Sequence, residues 1–165
     1  MLFAYNKNNA VGGGCHDEDI GLTDFGRRVV DEMNRVGMII DCSHTGFKTS
    51  MDAMARSVAP VVFSHSNALA LADHDRNIRD EQIKACGATG GVVGINGLNL
   101  FLGDLGEPQA ATVARHVAYV AELVGIDHVG ITLDYDPNVY DLSDPDLLSD
   151  DNPDYTDLIW ALLNT

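Results

Sequence analysis

Two histidines occupy matching positions, each at the end of a short apolar run and each flanked by serine or threonine. His44 follows the run MIIDCS, and His65 follows the run VVFS. Imidazole is a common ligand for zinc and similar ions, so two such side chains at neighbouring strand ends predict a metal site. The alternative is that both rings are hydrogen-bonded structural residues.

Two further polar residues end apolar runs in the same way. Asn96 ends VVGIN, and Asp134 follows HVGITL, with Asp136 two positions later. An aspartate in this position is consistent with a helix cap, a metal ligand or a general base. Four successive runs that each end in a polar or metal-binding group indicate one shared site.

Arg76 is the candidate for binding an anion. It lies in an irregular segment after His65, in a chain that has few basic residues. A guanidinium near a metal site is suited to a two-pronged hydrogen bond with a substrate carboxylate. The alternative is a surface salt bridge, for which the nearby acids are Asp73, Asp75 and Asp80.

The apolar runs before these residues predict short strands of a parallel sheet. They are continuous rather than alternating, which is typical of strands covered by helices on both faces. Between them the periodicity predicts helices, the clearest being one between Thr23 and Gly37 and one over 109–124. In parallel α/β folds, ligands gather at the carboxyl ends of the strands. The sequence therefore predicts an α/β fold with one functional edge.

Two closures of this sheet fit the order of elements: an open doubly wound sheet, or part of a (β/α)8 barrel. No glycine-rich phosphate-binding motif follows any strand, which argues against the first. A complete barrel usually needs about 250 residues, and the chain has 165. No internal boundary is visible, so we expect a single domain over residues 1–165.

The charge balance excludes several kinds of partner. The chain is 45% hydrophobic and carries 25 acidic against 10 basic residues, a formal net charge of −15. Such a surface repels nucleic acids and anionic membranes. Nine aspartates lie between Asp134 and Asp157, where a solvated acidic loop and a cation-binding loop are both open interpretations.

The cysteines and the first residues bear on the compartment. Three widely spaced cysteines favour a reducing environment over a disulfide scaffold. The first residues lack the basic start and long apolar stretch of a signal peptide. No apolar run reaches the ~18 residues needed to span a bilayer. We expect a cytoplasmic protein.

Three segments resemble the membrane (renal) dipeptidase family of metallopeptidases. They are GLTDFGRRVVDEMNRVGMIIDCSH, APVVFSHSNALALADHDRNIRDEQI and VGIDHVGITLDYD. The resemblance extends from about Phe3 to Leu163, and the spacing of the two Ser-His pairs together with the His-x-Arg-Asn element makes it specific. It implies a (β/α)8 barrel that hydrolyses dipeptides with two zinc ions at the carboxyl edge of its strands.

The resemblance also implies roles for individual residues. His44 and His65 correspond to the two histidines that bind one zinc. Asp134 corresponds to the aspartate that hydrogen-bonds the metal-bridging water and can move its proton. These three residues are therefore expected to form the metal-binding and catalytic part of the site.

Three other residues are implied on the substrate side. Arg76 corresponds to the arginine that holds the terminal carboxylate of the substrate. Tyr5 stands where many members have a histidine that contacts the reacting carbonyl oxygen, and its phenol could donate a hydrogen bond there. Asn96 lies at the family's V-x-x-N strand end, where we expect it to face the substrate.

Two elements of the family pattern are missing from this sequence. The H-x-D motif that holds the first zinc and the glutamate that bridges both ions are not found. We therefore expect roughly the back half of a barrel, at most one well-supported zinc, and absent or impaired dipeptidase activity. The alternatives are a non-catalytic half-barrel that oligomerises through unpaired sheet edges, and an amidohydrolase-like enzyme for another small substrate.

Overall fold

The computed structural model describes residues 1–103 and 109–134, in which short parallel strands alternate with helices. The helices are α1 (Asp24–Val36), α2 (Phe47–Arg56), α3 (Asp80–Ala88), α4 (Asn99–Leu102) and α5 (Gln109–Val124). The strands are β1 (Ile40–Asp41), β2 (Val61–Val62), β3 (Val93–Asn96) and β4 (Val129–Leu133). A 3-10 turn over Ile126–His128 leads into β4. The aspartate-rich stretch after Asp134 lies outside the described residues.

The strands lie side by side in the order in which they occur along the chain. β1 pairs with β2 and β3 pairs with β4, both in parallel. A parallel bridge between Phe63 and Val93 joins the two pairs, and Leu2 bridges to Asp41 on the outer side of β1. A doubly wound sheet would reverse its strand order, whereas a (β/α)8 barrel does not. The prediction of a partial barrel is confirmed.

Local sequence signals explain where α1 begins and ends. The Thr23 side chain accepts a hydrogen bond from the Gly26 amide at 2.9 Å, as an N-cap should. Gly37 ends the helix in the left-handed conformation with φ 72°, which glycine adopts at low cost. Val30 and Met33 are buried on the inner face of the helix. Capping and apolar periodicity therefore agree, as the sequence predicted.

One apolar core fills the space between the sheet and its helices. Its largest fully buried apolar side chains come from the strands, from the residue after β2 and from helices α1, α3, α4 and α5, namely Ile40, Val61, Val93, Ile95, Phe63, Val30, Ile83, Leu102, Val113 and Val120. None of the helices in the described ranges is long and apolar enough to cross a membrane.

A glycine in β3 allows the central strands to approach closely. A Cβ atom at Gly94 would collide with the carbonyl oxygen of Ser64 and lie 2.6 Å from Thr132 Cγ2. Its partner across the ladder, Gly130, has room, because the nearest atom to a Cβ there is Val92 Cγ1 at 3.5 Å. The absence of a side chain at Gly94 therefore allows β3 to lie close to the segment after β2 that contains Ser64.

Candidate active site

His44 and His65 meet at the carboxyl ends of β1 and β2. Their Nε2 atoms are 2.8 Å apart, and the rings are inclined at 63°. A tetrahedral ion bound at 2.0–2.1 Å holds two ligand nitrogens roughly 3.3 Å apart, so a small outward movement would seat an ion between them. The predicted pairing of the two side chains is therefore present in the fold.

The far side of each ring is hydrogen-bonded within the protein. His44 Nδ1 lies 2.7 Å from Asn6 Oδ1, and His65 Nδ1 lies 2.7 Å from Ser64 Oγ. Only the Nε2 atoms face each other and the open edge. Two converging imidazole nitrogens whose other nitrogens are engaged form a donor set that fits zinc and similar divalent ions.

The described part of the chain supplies two ligands and no third. Within residues 1–103 and 109–134, no three histidine, cysteine, aspartate or glutamate side chains converge as a metal site. A catalytic zinc usually has three protein ligands and one water. The histidine pair can therefore hold an ion only with water or other groups in the remaining positions.

The two histidines are kept in the form that binds metals. Burial, the charge of Arg76 and the proximity of His65 lower the pKa of His44 to about 4. Burial also lowers the pKa of His65, against the opposing charge of Asp134. Both imidazoles are therefore neutral near pH 7, as metal ligation requires.

Arg76 lies buried beside the pair rather than on the surface. Only 4% of the residue is exposed, its Nη2 donates to the carbonyl oxygen of His65 at 3.3 Å, and its guanidinium lies 5.4 Å from the ring centre of Phe101. A surface salt bridge with Asp73, Asp75 or Asp80 was the alternative role for Arg76. Among the described residues, Arg76 forms no salt bridge with any of these three acids.

A cleft of about 240 Å³ opens next to this arginine. Its walls include His44, Arg76 and Cys15, whose thiol donates to Asn6 Oδ1 at 3.3 Å. Burial lowers the pKa of Arg76, yet the group remains a cation near pH 7 because guanidinium pKa values are so high. A small anion that enters the cleft would therefore meet a buried positive charge close to the histidines.

Asn96 and Asp134 are joined at the ends of β3 and β4. Asn96 Nδ2 donates to Asp134 Oδ2 at 2.8 Å, and Asn96 Oδ1 accepts from the Leu98 amide at 2.7 Å. The side-chain amide of Asn67 bonds both backbone groups of Asn96, at 3.0 and 3.1 Å. The fully buried Asn96 amide therefore orients Asp134, and its direct contact with substrate stays a prediction.

Tyr5 covers one face of the metal-binding pair. Its ring stacks on His44 with the centroids 4.1 Å apart and the planes inclined at 23°, while 71% of the residue is exposed. The phenol is thus held at the open side of the site by a ring contact. Its role as a donor to a substrate oxygen stays a prediction.

Left-handed backbone conformations are concentrated at this site. Among the described residues, the non-glycine positions with positive φ are Asn6 at 66°, His44 at 62° and Asp134 at 59°. Such conformations cost energy and persist where surrounding contacts hold them. Sequence analysis did not identify Asn6, although asparagine in a glycine-rich segment is a signal for this conformation.

Asp41 is a second residue that sequence analysis did not identify. Its carboxylate accepts hydrogen bonds from the amides of Ser43 and Ser64 at 3.0 and 3.1 Å, and from the Ser64 hydroxyl. Burial acts to raise its pKa, but these hydrogen bonds outweigh burial and lower the pKa below its usual value. The position of Asp41 in the sequence, as an acidic residue at the end of an otherwise apolar strand, could have identified it as a functional residue.

An arc of parallel strands with two converging histidines at its carboxyl edge is the arrangement of a barrel metallohydrolase. The sequence model of the membrane dipeptidase family, Peptidase family M19, matches residues 1–165. The chain belongs to this family, as the resemblance implied.

Individual relatives agree with this assignment. The chain is 40% identical over 142 residues to the dipeptidase tcpJ of Claviceps purpurea, which covers 82% of the chain and 33% of that protein. It is similar to an amidohydrolase from Pseudomonas aeruginosa, with a TM-score of 0.74 and 41% identity over 79% of the chain and 40% of that structure. The chain spans about a third of the length of the curated relatives it matches.

A third relative was solved with a bound ligand. It is a metallopeptidase from Rhodobacter sphaeroides liganded with a phosphinate mimic of the dipeptide L-Ala-D-Ala. The TM-score is 0.72 and the identity 33%, over 79% of the chain and 40% of that structure.

Proposed function

We propose that this site serves the metal-dependent hydrolysis of dipeptides. The observation that carries the proposal is the convergence of His44 Nε2 and His65 Nε2 beside the buried guanidinium of Arg76. A metal-binding pair next to a fixed positive charge suits a substrate with a scissile carbonyl close to a free carboxylate. Zinc is the metal we propose, with at most one ion, held by this histidine pair.

Each side chain has a distinct task in this proposal. When bound, a divalent ion supplies a Lewis acid that polarises the peptide carbonyl and activates water. Arg76 binds the substrate carboxylate and thereby selects peptides that end one residue beyond the cut. Asp134, oriented by Asn96, accepts and returns the proton of the attacking water. Tyr5 donates a hydrogen bond to the carbonyl oxygen as charge develops there.

The first experiment measures hydrolysis of L-Ala-D-Ala by the 165-residue chain with and without zinc. We expect slow, zinc-dependent hydrolysis that a chelator removes, because the described ligand set is smaller than that of a usual catalytic zinc. The His44→Ala/His65→Ala double variant should be inactive. A zinc-loaded chain that neither hydrolyses this dipeptide nor binds its phosphinate mimic would contradict the proposal.

The second experiment tests the carboxylate anchor. Calorimetric titration with the phosphinate dipeptide mimic should give about 100-fold weaker binding for Arg76→Lys, since the two-pronged hydrogen bond is lost. Arg56→Lys is the matched control, because it makes the same exchange at an arginine that pairs with Asp31 at 2.6 Å on the surface. If a C-terminally amidated dipeptide is cleaved as fast as the free one, Arg76 is not the anchor, and an amidohydrolase acting on another small substrate becomes the better interpretation.

A second candidate property is self-association. In the described residues no strand pairs with the outer side of β4 or of the Leu2 segment, and exposed strand edges favour pairing with another chain. We therefore propose a homo-oligomer. Light scattering of the purified chain should give at least twice the mass of 17.8 kDa, and a stable monomer would contradict this.

We also propose a cytoplasmic location. Cys15, Cys42 and Cys86 are all free thiols, which is typical of proteins in a reducing compartment. Fractionation of cells that produce the chain should recover it with cytoplasmic markers, and recovery in an oxidising compartment would contradict the proposal.

A further inference from the structure

A short chain of hydrogen bonds leads from a buried carboxylate to the metal-binding pair. Asp41 Oδ2 accepts from the Ser64 hydroxyl, and Ser64 Oγ lies 2.7 Å from His65 Nδ1. The chain ends at His65 Nε2, which faces His44. Neither Asp41 nor Ser64 belongs to the set of side chains that would touch an ion or a substrate.

The direction of the protons in this chain follows from what each group can donate. Ser64 has a single hydroxyl proton, and the ionised carboxylate of Asp41 can only accept. The Ser64 proton therefore goes to Asp41, and Ser64 Oγ must accept from His65. His65 then carries its proton on Nδ1, which leaves the lone pair on Nε2.

Backbone contacts hold the carboxylate in place for this task. Asp41 Oδ1 accepts from the amides of Ser43 and Ser64, at 3.0 and 3.1 Å, so both of its oxygens are engaged. The His65 amide donates to Ser43 Oγ at 3.1 Å, which fixes the backbone from which the ring extends. The position of the acceptor is thus set before any ion binds.

We propose that Asp41 and Ser64 are positioning residues that select the Nδ1-protonated tautomer of His65, so that its Nε2 is always available to a divalent metal. The inference rests on the metal centre of the proposed function but not on its substrate. Groups that hydrogen-bond a ligating histidine commonly change metal affinity 10- to 100-fold when they are removed.

The other serine beside His65 provides a matched control. Ser66 is buried, with 2% exposure, and its Oγ has no hydrogen-bond partner in the described residues. Ser64 and Ser66 thus flank the same histidine and differ in whether the hydroxyl belongs to the chain of hydrogen bonds. Replacing either by alanine removes one oxygen atom next to the same histidine, from a half-buried position at Ser64 and from a buried one at Ser66.

Calorimetric titration of the full chain with zinc compares the two substitutions. We expect Ser64→Ala to bind zinc about 10- to 100-fold more weakly than the unchanged chain, and Ser66→Ala to bind it within about twofold. Ser64→Thr, which keeps a hydroxyl, should recover most of the affinity. Equal affinity of Ser64→Ala and Ser66→Ala would overturn the proposal.

A spectroscopic measurement on the unchanged chain keeps the test independent of how the variants fold. Nitrogen-15 spectra of the zinc-free chain should show His65 protonated at Nδ1, and Ser64→Ala should shift it towards the Nε2-protonated form. A wild-type His65 protonated at Nε2 would overturn the proposal. Because neither readout involves a peptide, absent dipeptide hydrolysis with a correct tautomer would count against the proposed substrate and not against this inference.

Discussion

The two strand pairs build their parts of the site by different means. β1 and β2 have two residues each, and the ends that carry His44 and His65 are tied together by the carboxylate of Asp41. β3 and β4 have four and five residues and are joined by a parallel ladder whose register shifts once, between Ile95 and Asn96. Gly94 allows β3 to approach Thr132 of β4 and the carbonyl of Ser64 closely. Where the ladder is short, a few polar side chains hold the strand ends in position. Where it is longer, the strands are positioned by how closely their backbones can approach.

The largest effect is expected at Asp41. Asp41→Ala leaves the amides of Ser43 and Ser64 and the Ser64 hydroxyl without their acceptor, and each unsatisfied buried group costs about 1–3 kcal/mol. We expect a loss of about 3–4 kcal/mol in the free energy of unfolding, measured by urea denaturation at pH 7. A loss below about 1 kcal/mol would show that the first strand pair does not depend on this carboxylate.

The pH dependence of folding stability tests the contribution of the Asp41 carboxylate in a second way. Folding lowers the pKa of this carboxyl below its ordinary value of 3.8, so its contribution is complete above that value and is lost as the pH falls through the folded-state pKa. The stability difference between the unchanged chain and Asp41→Asn should be constant from pH 7 to about pH 5 and shrink below about pH 4. A difference that grows on acidification would contradict the sign.

The second strand pair should respond to added volume. Gly94→Ala places a Cβ against the Ser64 carbonyl, and we expect a loss of about 2–3 kcal/mol in the free energy of unfolding. Gly130→Ala, directly across the ladder, meets nothing closer than 3.5 Å and should change stability by less than about 0.5 kcal/mol. If Gly94→Ala and Gly130→Ala change stability equally, close backbone approach at Gly94 is not what distinguishes β3 and β4 from β1 and β2.

The smallest effect is expected where polar side chains join the second pair. Asn96→Asp sets two carboxylates 2.8 Å apart and should cost about 1–2 kcal/mol. The exchange Asn96→Asp/Asp134→Asn restores a donor and an acceptor, so we expect stability to recover while dipeptide hydrolysis does not. Additive losses in this double-mutant cycle would show that the two side chains are not coupled.

Local signals in the sequence determined the elements and the strand ends that carry polar groups. Thr23 and Gly37 delimit α1 through contacts within a few residues, and apolar periodicity predicted α5 in the same way. The family motifs added the roles of His44 and His65, and the fold brings these two side chains together. The predictions of α1 and α5 succeeded because capping and periodicity depend on near neighbours in the chain.

Only the tertiary structure decided how those side chains are held. The bond from His44 to Asn6 joins residues 38 positions apart, and the contacts of Asp41 with Ser64 span 23 positions. Arg76 became a buried cation rather than a surface one because its loop packs against α4 and the end of β2. Hydrogen-bond partners and burial are long-range properties, set by which distant segments the packed core brings into contact.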